Sequence, residues 1–145
     1  MKSTNYMKLE FMSRSVNEGF ARMAAAAFLM QLDPTLEELG DIKTAVSEAV
    51  TNAIVHAYPD GLGKIRLQGK IFEDHSVEFT VRDYGCGIAD IAQARTPLFT
   101  TGGEERSGMG FTIMESFTDK LRVRSRPGKG TTVTFLRKIE LREKK

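Results

Sequence analysis

Apolar and polar residues alternate along five segments of this sequence, and a period of two is typical of strands with one buried face. The first segment covers residues 7–11. Two more, residues 65–71 and 77–81, lie on either side of a short polar turn, and the last two, residues 120–126 and 131–136, flank a Pro-Gly turn. The second to fifth segments therefore predict two β-hairpins.

Three further segments repeat their apolar residues at helical intervals. Ser15 and Glu18 have the spacing of a capping box and predict the start of a first helix, whose apolar face we expect to consist of Val16, Phe20, Met23, Ala24, Ala27 and Phe28. Asp33-Pro34 predicts the start of a longer second helix, with an apolar face made of Ile42, Val46, Ala49, Val50, Ala53 and Ala57. That helix should end before the turn Pro59-Asp60-Gly61, and a short third helix is predicted around residues 111–117.

The predicted element order is βααββαββ. Because strands and helices do not strictly alternate, this order favours the α+β class, a two-layer α/β sandwich whose mixed, mostly antiparallel sheet is covered by helices on one face. A doubly wound parallel sheet is disfavoured for the same reason. The length of 145 residues predicts a single domain that spans residues 1–145.

Cysteine content and hydropathy exclude several classes of protein. The sequence contains one cysteine, Cys86, which rules out an internal disulfide framework and any CxxC zinc or redox motif. No segment approaches the roughly 20 apolar residues that a membrane-spanning helix needs, and the N-terminus lacks the apolar core of a signal peptide. We therefore expect a cytoplasmic protein without membrane contact.

Charge is distributed unevenly along the chain. There are 21 Lys and Arg and 19 Asp and Glu residues, a net charge of +2, but residues 120–145 carry ten basic and two acidic residues. Between residues 120 and 126 the basic side chains occupy every second position, which is the pattern of a strand with one solvated face. We favour that interpretation, and place an acidic protein partner second, ahead of nucleic acid.

Several common catalytic motifs are absent from the sequence. It contains no GxxxxGK[ST], no GxGxxG and no HExxH, and its two histidines lie far apart. Glu48 and Asn52 are four residues apart, and we expect them side by side at the edge of the apolar face of the second helix. Such a pair is ordinary on an exposed helix, so it gains meaning only together with other motifs.

Two glycine motifs follow. Asp83-Tyr-Gly85-Cys-Gly87 comes directly after a predicted strand, and its glycines permit a positive φ or the close approach of another group, although any tight turn can have this composition. Gly108 and Gly110 open the third helix, where free backbone N–H groups favour a phosphate. The small, polar residues 98–105 are typical of a lid that orders on a ligand.

Taken in chain order, the motifs resemble the nucleotide-binding boxes of the GHKL ATPase superfamily, which gyrase, chaperones, histidine kinases and MutL share: Glu48-xxx-Asn52, Asp83-x-Gly85-x-Gly87, a lid, Gly108-x-Gly110 and Gly130-Thr131. The flanking sequence is similar to the anti-sigma F factors of endospore-forming bacteria over residues 19–22, 31–35, 46–52, 97–101 and 105–115. It departs from that family at Ala57, where a glycine after the histidine is usual, and at the lid pair Gly102-Gly103.

The resemblance implies a site for ATP or ADP between helices and sheet. Asp83 is expected to accept from the exocyclic amine of adenine, supported by the Thr131 hydroxyl, and Asn52 to coordinate Mg²⁺. Glu48 is expected to take the proton from a substrate serine, and Arg106 either stabilises the transferred phosphoryl group or is a solvated lid residue. The other nucleotide-binding positions implied are Gly85, Gly87, Thr100, Thr101, Ser107, Gly108, Met109 and Gly110.

Members of that family silence the sporulation sigma factor F and phosphorylate its antagonist, the anti-anti-sigma factor, on serine. The resemblance therefore implies both partners, a homodimer, and a partner-facing surface that includes Arg22. Two alternatives stay open: a general-stress anti-sigma kinase paralogue, and a nucleotide-gated sigma-binding module without significant kinase turnover. Direct contact with nucleic acid is not expected.

Overall fold

In the part of the chain that the structure describes, five strands form one sheet in the order β1-β2-β3-β5-β4, and every neighbouring pair is antiparallel. The computed structural model describes residues 2–87 and 110–141. Within them the strands are β1 (Ser3–Met12), β2 (Lys64–Phe72), β3 (Ser76–Asp83), β4 (Lys120–Arg126) and β5 (Gly130–Lys138). All five strands predicted from the period of two are confirmed.

Within the described residues, three α-helices cover one face of this sheet: α1 (Asn17–Leu29), α2 (Leu36–His56) and α3 (Gly110–Ser116). A single 3₁₀ turn, Met30–Leu32, follows α1. α1 packs against α2, which in turn packs against α3 and the middle of the sheet. The predicted α+β class is therefore confirmed, and the elements of residues 2–87 and 110–141 follow the predicted order βααββαββ. None of the helices in the described residues has the length and apolar character needed to cross a membrane.

The core lies between α2 and the helix-facing side of β2, β3 and β5. The predicted apolar face of α2 is confirmed, since all six of its residues are buried. At the centre of the sheet, the ring of Phe79 contacts Phe28 edge-on, with ring centroids 6.2 Å apart, and lies beside Phe135 at 5.9 Å. α2 is therefore packed against the core from Ile42 to its C-terminal end, which gives a site on the edge of this part of the helix a rigid support.

The starts of the first two helices differ from their predictions. Val16 occupies the N-cap of α1 and no side chain caps it. The Glu18 N–H donates to the Ser15 carbonyl at 3.2 Å and not to its hydroxyl, and the Glu18 carboxylate contacts the side chains of Ser47 and Arg22. The cap of α2 is Thr35, two residues later than Asp33. Its hydroxyl accepts from the Glu38 N–H at 3.0 Å, while the Glu38 carboxylate accepts from the Thr35 N–H at 2.8 Å. This reciprocal pair is a full capping box.

The predicted apolar face of α1 is largely wrong. Val16, Phe20 and Met23 are 76%, 52% and 59% exposed, and the buried side of the helix consists of Ala21, Ala25, Ala26 and Leu29. Three of these four are alanines, which let the axes of α1 and α2 approach closely, whereas the larger side chains would not fit between them. α1 thus carries a second, solvent-exposed apolar face.

Candidate functional site

Asp83, the last residue of β3, is a buried carboxylate that is 5% exposed. Its Oδ1 atom accepts hydrogen bonds from the backbone N–H groups of Gly85, at 3.0 Å, and Thr131, at 3.2 Å. Within the described residues, Oδ2 has no protein partner, and no buried side-chain oxygen or nitrogen is left unsatisfied. Oδ2 is therefore reached by solvent and is available to a ligand donor.

Burial raises the pKa of the Asp83 carboxyl above its ordinary value, while the two backbone hydrogen bonds act in the opposite direction. No cation contributes to this balance within the described residues. The group is thus a desolvated acceptor held by neutral donors rather than one half of an ion pair. A neutral N–H donor on a ligand is a better match for such an acceptor than a cation is, because it adds no second buried charge.

The turn that follows Asp83 is fixed against the C-terminal end of α2. The Cys86 N–H donates to the carbonyl of Ala57 at 2.8 Å. A Cβ on Gly85 would lie only 2.0 Å from that carbonyl oxygen, so this glycine is needed for the contact between the turn and α2. Gly85 thus serves the close approach that the sequence suggests, but the approaching group is the protein's own backbone.

Gly87 is required by its backbone conformation. Its φ of +77° lies in the left-handed region that side chains rarely adopt. A Cβ at this position would also lie 2.2 Å from the carbonyl oxygen of Arg126. The prediction of a positive φ in this motif is therefore confirmed at Gly87, where the turn lies against the end of β4.

Thr131 supports Asp83 through a different atom from the one expected. Its backbone N–H donates to the carboxylate, whereas its hydroxyl lies 2.8 Å from the hydroxyl of Ser125 on the neighbouring strand. Asp83 ends β3 and Thr131 lies at the start of β5, which pairs with β3, so the carboxylate is held by neighbouring strands of the sheet. A hydroxyl contact from Thr131 to a nucleotide stays a prediction.

Glu48 and Asn52 lie one turn apart on α2, both half-buried at the edge of its apolar face, as predicted. Glu48 lines an open groove of about 410 Å³ between α1 and α2, together with Arg22, Met23, Gly40, Lys43, Thr44 and Ser47. The groove places two cationic side chains, Arg22 and Lys43, around a carboxylate. An acidic or hydroxyl-bearing segment of a partner protein fits such a lining.

Arg22 contacts Glu18 at 3.2 Å, and its side chain remains 40% exposed. The Glu18 carboxylate also accepts from the Ser47 hydroxyl, so these three residues link α1 to α2 beside Glu48. Arg22 is therefore on the rim of the groove, where a partner can reach it, and not on the exposed apolar face of α1.

Of the remaining predicted site residues, the structure describes only Gly110. Gly110 is the first residue of α3, as expected. The other positions, Thr100, Thr101, Arg106, Ser107, Gly108 and Met109, lie outside the described residues. Their roles stay predictions from the sequence.

Two further predictions concern charge and metal binding. The alternating exposure of β4 confirms that its basic residues form one solvated face of a strand, with Leu121 and Val123 turned toward the core. Residues 2–87 and 110–141 contain no group of three or more His, Cys, Asp or Glu side chains that could hold a metal ion by themselves. A Mg²⁺ ion at Asn52 would take its other ligands from water and from a nucleotide, as this ion commonly does.

The sequence patterns do not predict one residue, Tyr58, that contacts the turn after Asp83. The Tyr58 hydroxyl accepts a hydrogen bond from the Tyr84 N–H at 2.8 Å, although 26 residues separate the two. Tyr58 precedes the turn Pro59-Asp60-Gly61 and follows the apolar face of α2, so no periodicity marks it. Only the fold brings it to the turn.

A family model of the histidine kinase-like ATPase domain matches residues 13–137 of this chain. The anti-sigma F factor of Geobacillus kaustophilus (strain HTA426) is 59% identical over 138 residues, covering 92% of this chain and 92% of its own length. That of Pasteuria penetrans is 57% identical over 140 residues, covering 94% and 92%.

Two solved structures share the fold. The RsbU and RsbW domains of a Mycobacterium tuberculosis protein have a TM-score of 0.68 at 19% identity, over 94% of this chain and 33% of that chain. A blue-light activated histidine kinase of Erythrobacter litoralis has a TM-score of 0.60 at 22% identity, over 81% of this chain and 40% of its own. At these identities the likeness concerns the fold alone.

Proposed function

We propose that this chain, which belongs to the histidine kinase-like ATPase family and, within it, to the anti-sigma F factors, binds sigma factor F. We further propose that it phosphorylates the anti-anti-sigma factor on serine, with ATP as phosphoryl donor. The observation that carries the proposal is the buried Asp83 carboxylate, which has one oxygen left available, at a turn held against the C-terminal end of α2, the helix that carries Glu48 and Asn52.

Asp83 selects adenine in this proposal. The adenine exocyclic amine donates to Oδ2, the oxygen that the backbone bonds to Gly85 and Thr131 leave available. Guanine presents a carbonyl oxygen at the corresponding position, which would face the carboxylate without a hydrogen bond. A buried acceptor left unpaired costs free energy, so the site discriminates between the two bases.

Asn52 holds Mg²⁺ through its side-chain oxygen. The residue fits this role because it is half-buried on α2, one turn from Glu48, with an oxygen of the kind that Mg²⁺ prefers. When bound, the ion neutralises charge on the nucleotide phosphates. Arg106, Gly108, Gly110, Ser107, Met109, Thr100 and Thr101 complete the phosphate site in this proposal, on the strength of the sequence motif.

Glu48 acts as the general base. Its carboxylate takes the proton from the substrate serine hydroxyl while the serine oxygen forms a bond to the γ-phosphorus of ATP and the bond to the departing ADP breaks. The groove between α1 and α2 gives the serine-bearing segment access to Glu48, and Arg22 on its rim contacts the partner. Sigma factor F and the anti-anti-sigma factor both use this rim.

Two copies of the chain form a homodimer through the exposed face of α1. Exposed Val16, Phe20, Met23, Ala27 and Met30 recur at the spacing of a helix–helix seam, at positions i, i+4, i+7, i+11 and i+14. An exposed apolar stripe of this regularity indicates a protein interface. The proposed partners place the protein in the cytoplasm.

One experiment tests the proposal as a whole. The purified chain is incubated with γ-labelled ATP, Mg²⁺, sigma factor F and the anti-anti-sigma factor, and the products are analysed for phosphoserine and for a stable sigma complex. We expect label on a serine of the anti-anti-sigma factor only. A sigma complex without any phosphoserine would instead indicate a nucleotide-gated binding module.

A further inference from the structure

We propose that Tyr58 is a positioning residue of the adenine site, because its hydroxyl holds the backbone of the Asp83 turn in the geometry that adenine requires. The inference rests on the proposed nucleotide site at Asp83. It assigns to Tyr58 an effect on nucleotide affinity without contact between this side chain and the nucleotide.

The Tyr58 hydroxyl joins three elements of the fold. It accepts from the Tyr84 N–H at 2.8 Å and donates to the carbonyl of Lys64 at 2.5 Å. Tyr58 lies two residues beyond the end of α2, Lys64 is the first residue of β2, and Tyr84 directly follows β3. One oxygen atom thus connects the ends of a helix and two strands at a point one residue from the Asp83 carboxyl.

The ring of Tyr58 is held in a slot that leaves it little freedom. A Cβ on Gly63 would lie 2.2 Å from the Cε1 atom of this ring, so the ring lies directly against the glycine backbone. Gly63 is in turn fixed to Ser13, whose N–H donates to the Gly63 carbonyl at 2.8 Å and whose hydroxyl accepts from the Gly63 N–H at 3.0 Å. The packing of the ring therefore fixes the position of the Tyr58 hydroxyl.

The side chain of Tyr84 contacts two cationic residues, whereas its backbone N–H contacts Tyr58. The Lys64 ammonium lies 4.8 Å from the centre of the Tyr84 ring, and the Arg82 guanidinium carbon lies 4.7 Å from it. The Tyr84 N–H is bonded to the Tyr58 hydroxyl alone among the described residues. Without that hydroxyl, the peptide between Asp83 and Tyr84 loses its hydrogen bond, and the backbone that carries the Gly85 N–H to the Asp83 carboxylate is held less tightly.

The hydroxyl keeps its proton under ordinary conditions. Burial raises the pKa of Tyr58 above its usual value, so the group remains both a donor to Lys64 and an acceptor from Tyr84 at neutral pH. Phenylalanine retains the ring that fills the slot over Gly63 and loses only these two hydrogen bonds. Tyr58→Phe therefore separates positioning from packing.

The experiment measures ADP binding to the full chain by calorimetry for the parent protein, Tyr58→Phe, Asp83→Asn and the double variant. Tyr6→Phe is the matched control, since Tyr6 is 64% exposed on β1. We expect Tyr58→Phe to weaken ADP binding by about three- to tenfold, the scale of one hydrogen bond, and Tyr6→Phe to leave it unchanged. With the substrate protein, the KM for ATP should rise and kcat at saturation should not change.

The double variant decides how Tyr58 acts. If its effect passes through Asp83, adding Tyr58→Phe to Asp83→Asn should cost less affinity than it does in the parent protein. Full additivity, or parent-like ADP affinity in Tyr58→Phe, would overturn the inference while leaving the proposed function intact. Failure of the parent protein to bind ADP would overturn the proposed function, and this inference with it.

Discussion

The backbone N–H of Thr131 donates to Oδ1 of Asp83 at 3.2 Å and joins the start of β5 to the end of β3 across 48 residues of sequence. Gly85 donates to the same oxygen. Oδ1 of Asp83 is thus bonded within the protein, and Oδ2 is available to a ligand. A substitution at Asp83 can therefore change ligand recognition while keeping the hydrogen bonds that fold the turn.

Asp83→Asn should weaken ATP binding without destabilising the fold at neutral pH. The amide oxygen can keep the bonds to Gly85 and Thr131, but the amide nitrogen then presents a donor toward the adenine amine. We expect a loss of about 10- to 100-fold in affinity, the range for one unpaired buried polar group. Calorimetric titration with ATP and GTP measures it, and unchanged affinities for both nucleotides would refute the adenine assignment.

The same variant has a distinct pH dependence. Because the folded-state pKa of Asp83 is raised, its contribution to stability is fully present below its unfolded pKa and is lost as pH rises through the folded pKa. Asp83→Asn should thus match or exceed the parent melting temperature at pH 7, and this advantage should shrink toward acid pH. Thermal unfolding between pH 3 and pH 7 tests this, and a variant that is least stable relative to the parent at pH 7 would contradict it.

α1 and α2 show how much of the fold can be predicted from the sequence. The apolar face of α2 is bounded by polar residues, so its periodicity has one interpretation, and all its predicted core residues are buried. α1 is apolar on two sides. Its buried side includes Ala21 and Ala25, whereas Phe20 and Met23 face solvent. Periodicity records where apolar residues lie, but only the space between two helices decides which of two faces is buried.

The site shows a similar division. Motif spacing identifies Glu48, Asn52 and Asp83 because each belongs to a local pattern. The family resemblance names Thr131 as the support of Asp83, but through its hydroxyl; the backbone N–H contact found instead follows from the pairing of β3 with β5. Tyr58 is likewise brought to the turn by the positions of α2 and β2 rather than by any local pattern. Local motifs therefore indicate candidate functional groups, whereas long-range contacts such as that of Tyr58 with Tyr84 follow only from the fold.

Asn52→Ala should weaken nucleotide binding only when Mg²⁺ is present. The substitution removes one oxygen ligand from the proposed ion site and leaves the Asp83 turn intact. We expect ADP affinity to fall at least tenfold in Mg²⁺, and to equal that of the parent in EDTA. Thr51→Ala, at the neighbouring position of α2, serves as control. Equal losses with and without Mg²⁺ would show that Asn52 acts on the nucleotide by another route.

Arg22→Ala should impair partner binding while preserving the fold. The substitution removes an ion pair with Glu18 that spans one helical turn and is partly exposed, and such pairs contribute about 0.3–0.5 kcal/mol. We expect the melting temperature to fall by no more than about 2 °C and sigma factor F binding to weaken at least tenfold. Arg14→Ala, at an exposed position before α1, is the control. Unchanged affinity for both partners would remove Arg22 from the interface.

Phe20→Glu should dissociate the homodimer without unfolding the monomer. Phe20 is 52% exposed in the middle of the apolar stripe, so a charge there meets water in the monomer and an apolar surface in the proposed dimer. Leu36→Glu, at an 87% exposed position on α2, introduces the same charge elsewhere. Sedimentation velocity should give a monomer for Phe20→Glu and a dimer for Leu36→Glu. A dimeric Phe20→Glu protein would exclude this face as the seam.

Glu48→Gln separates catalysis from binding in one substitution. Glutamine keeps the size and helix propensity of glutamate but cannot accept the serine proton. ATP, Mg²⁺ and sigma factor F should still bind, while phosphorylation of the anti-anti-sigma factor falls by about 10²- to 10⁴-fold, the range for a lost general base. Glu37→Gln, exposed on the first turn of the same helix, is the matched control. Single-turnover assays report the chemical step directly, so a parent-like rate for Glu48→Gln would exclude Glu48 as the base.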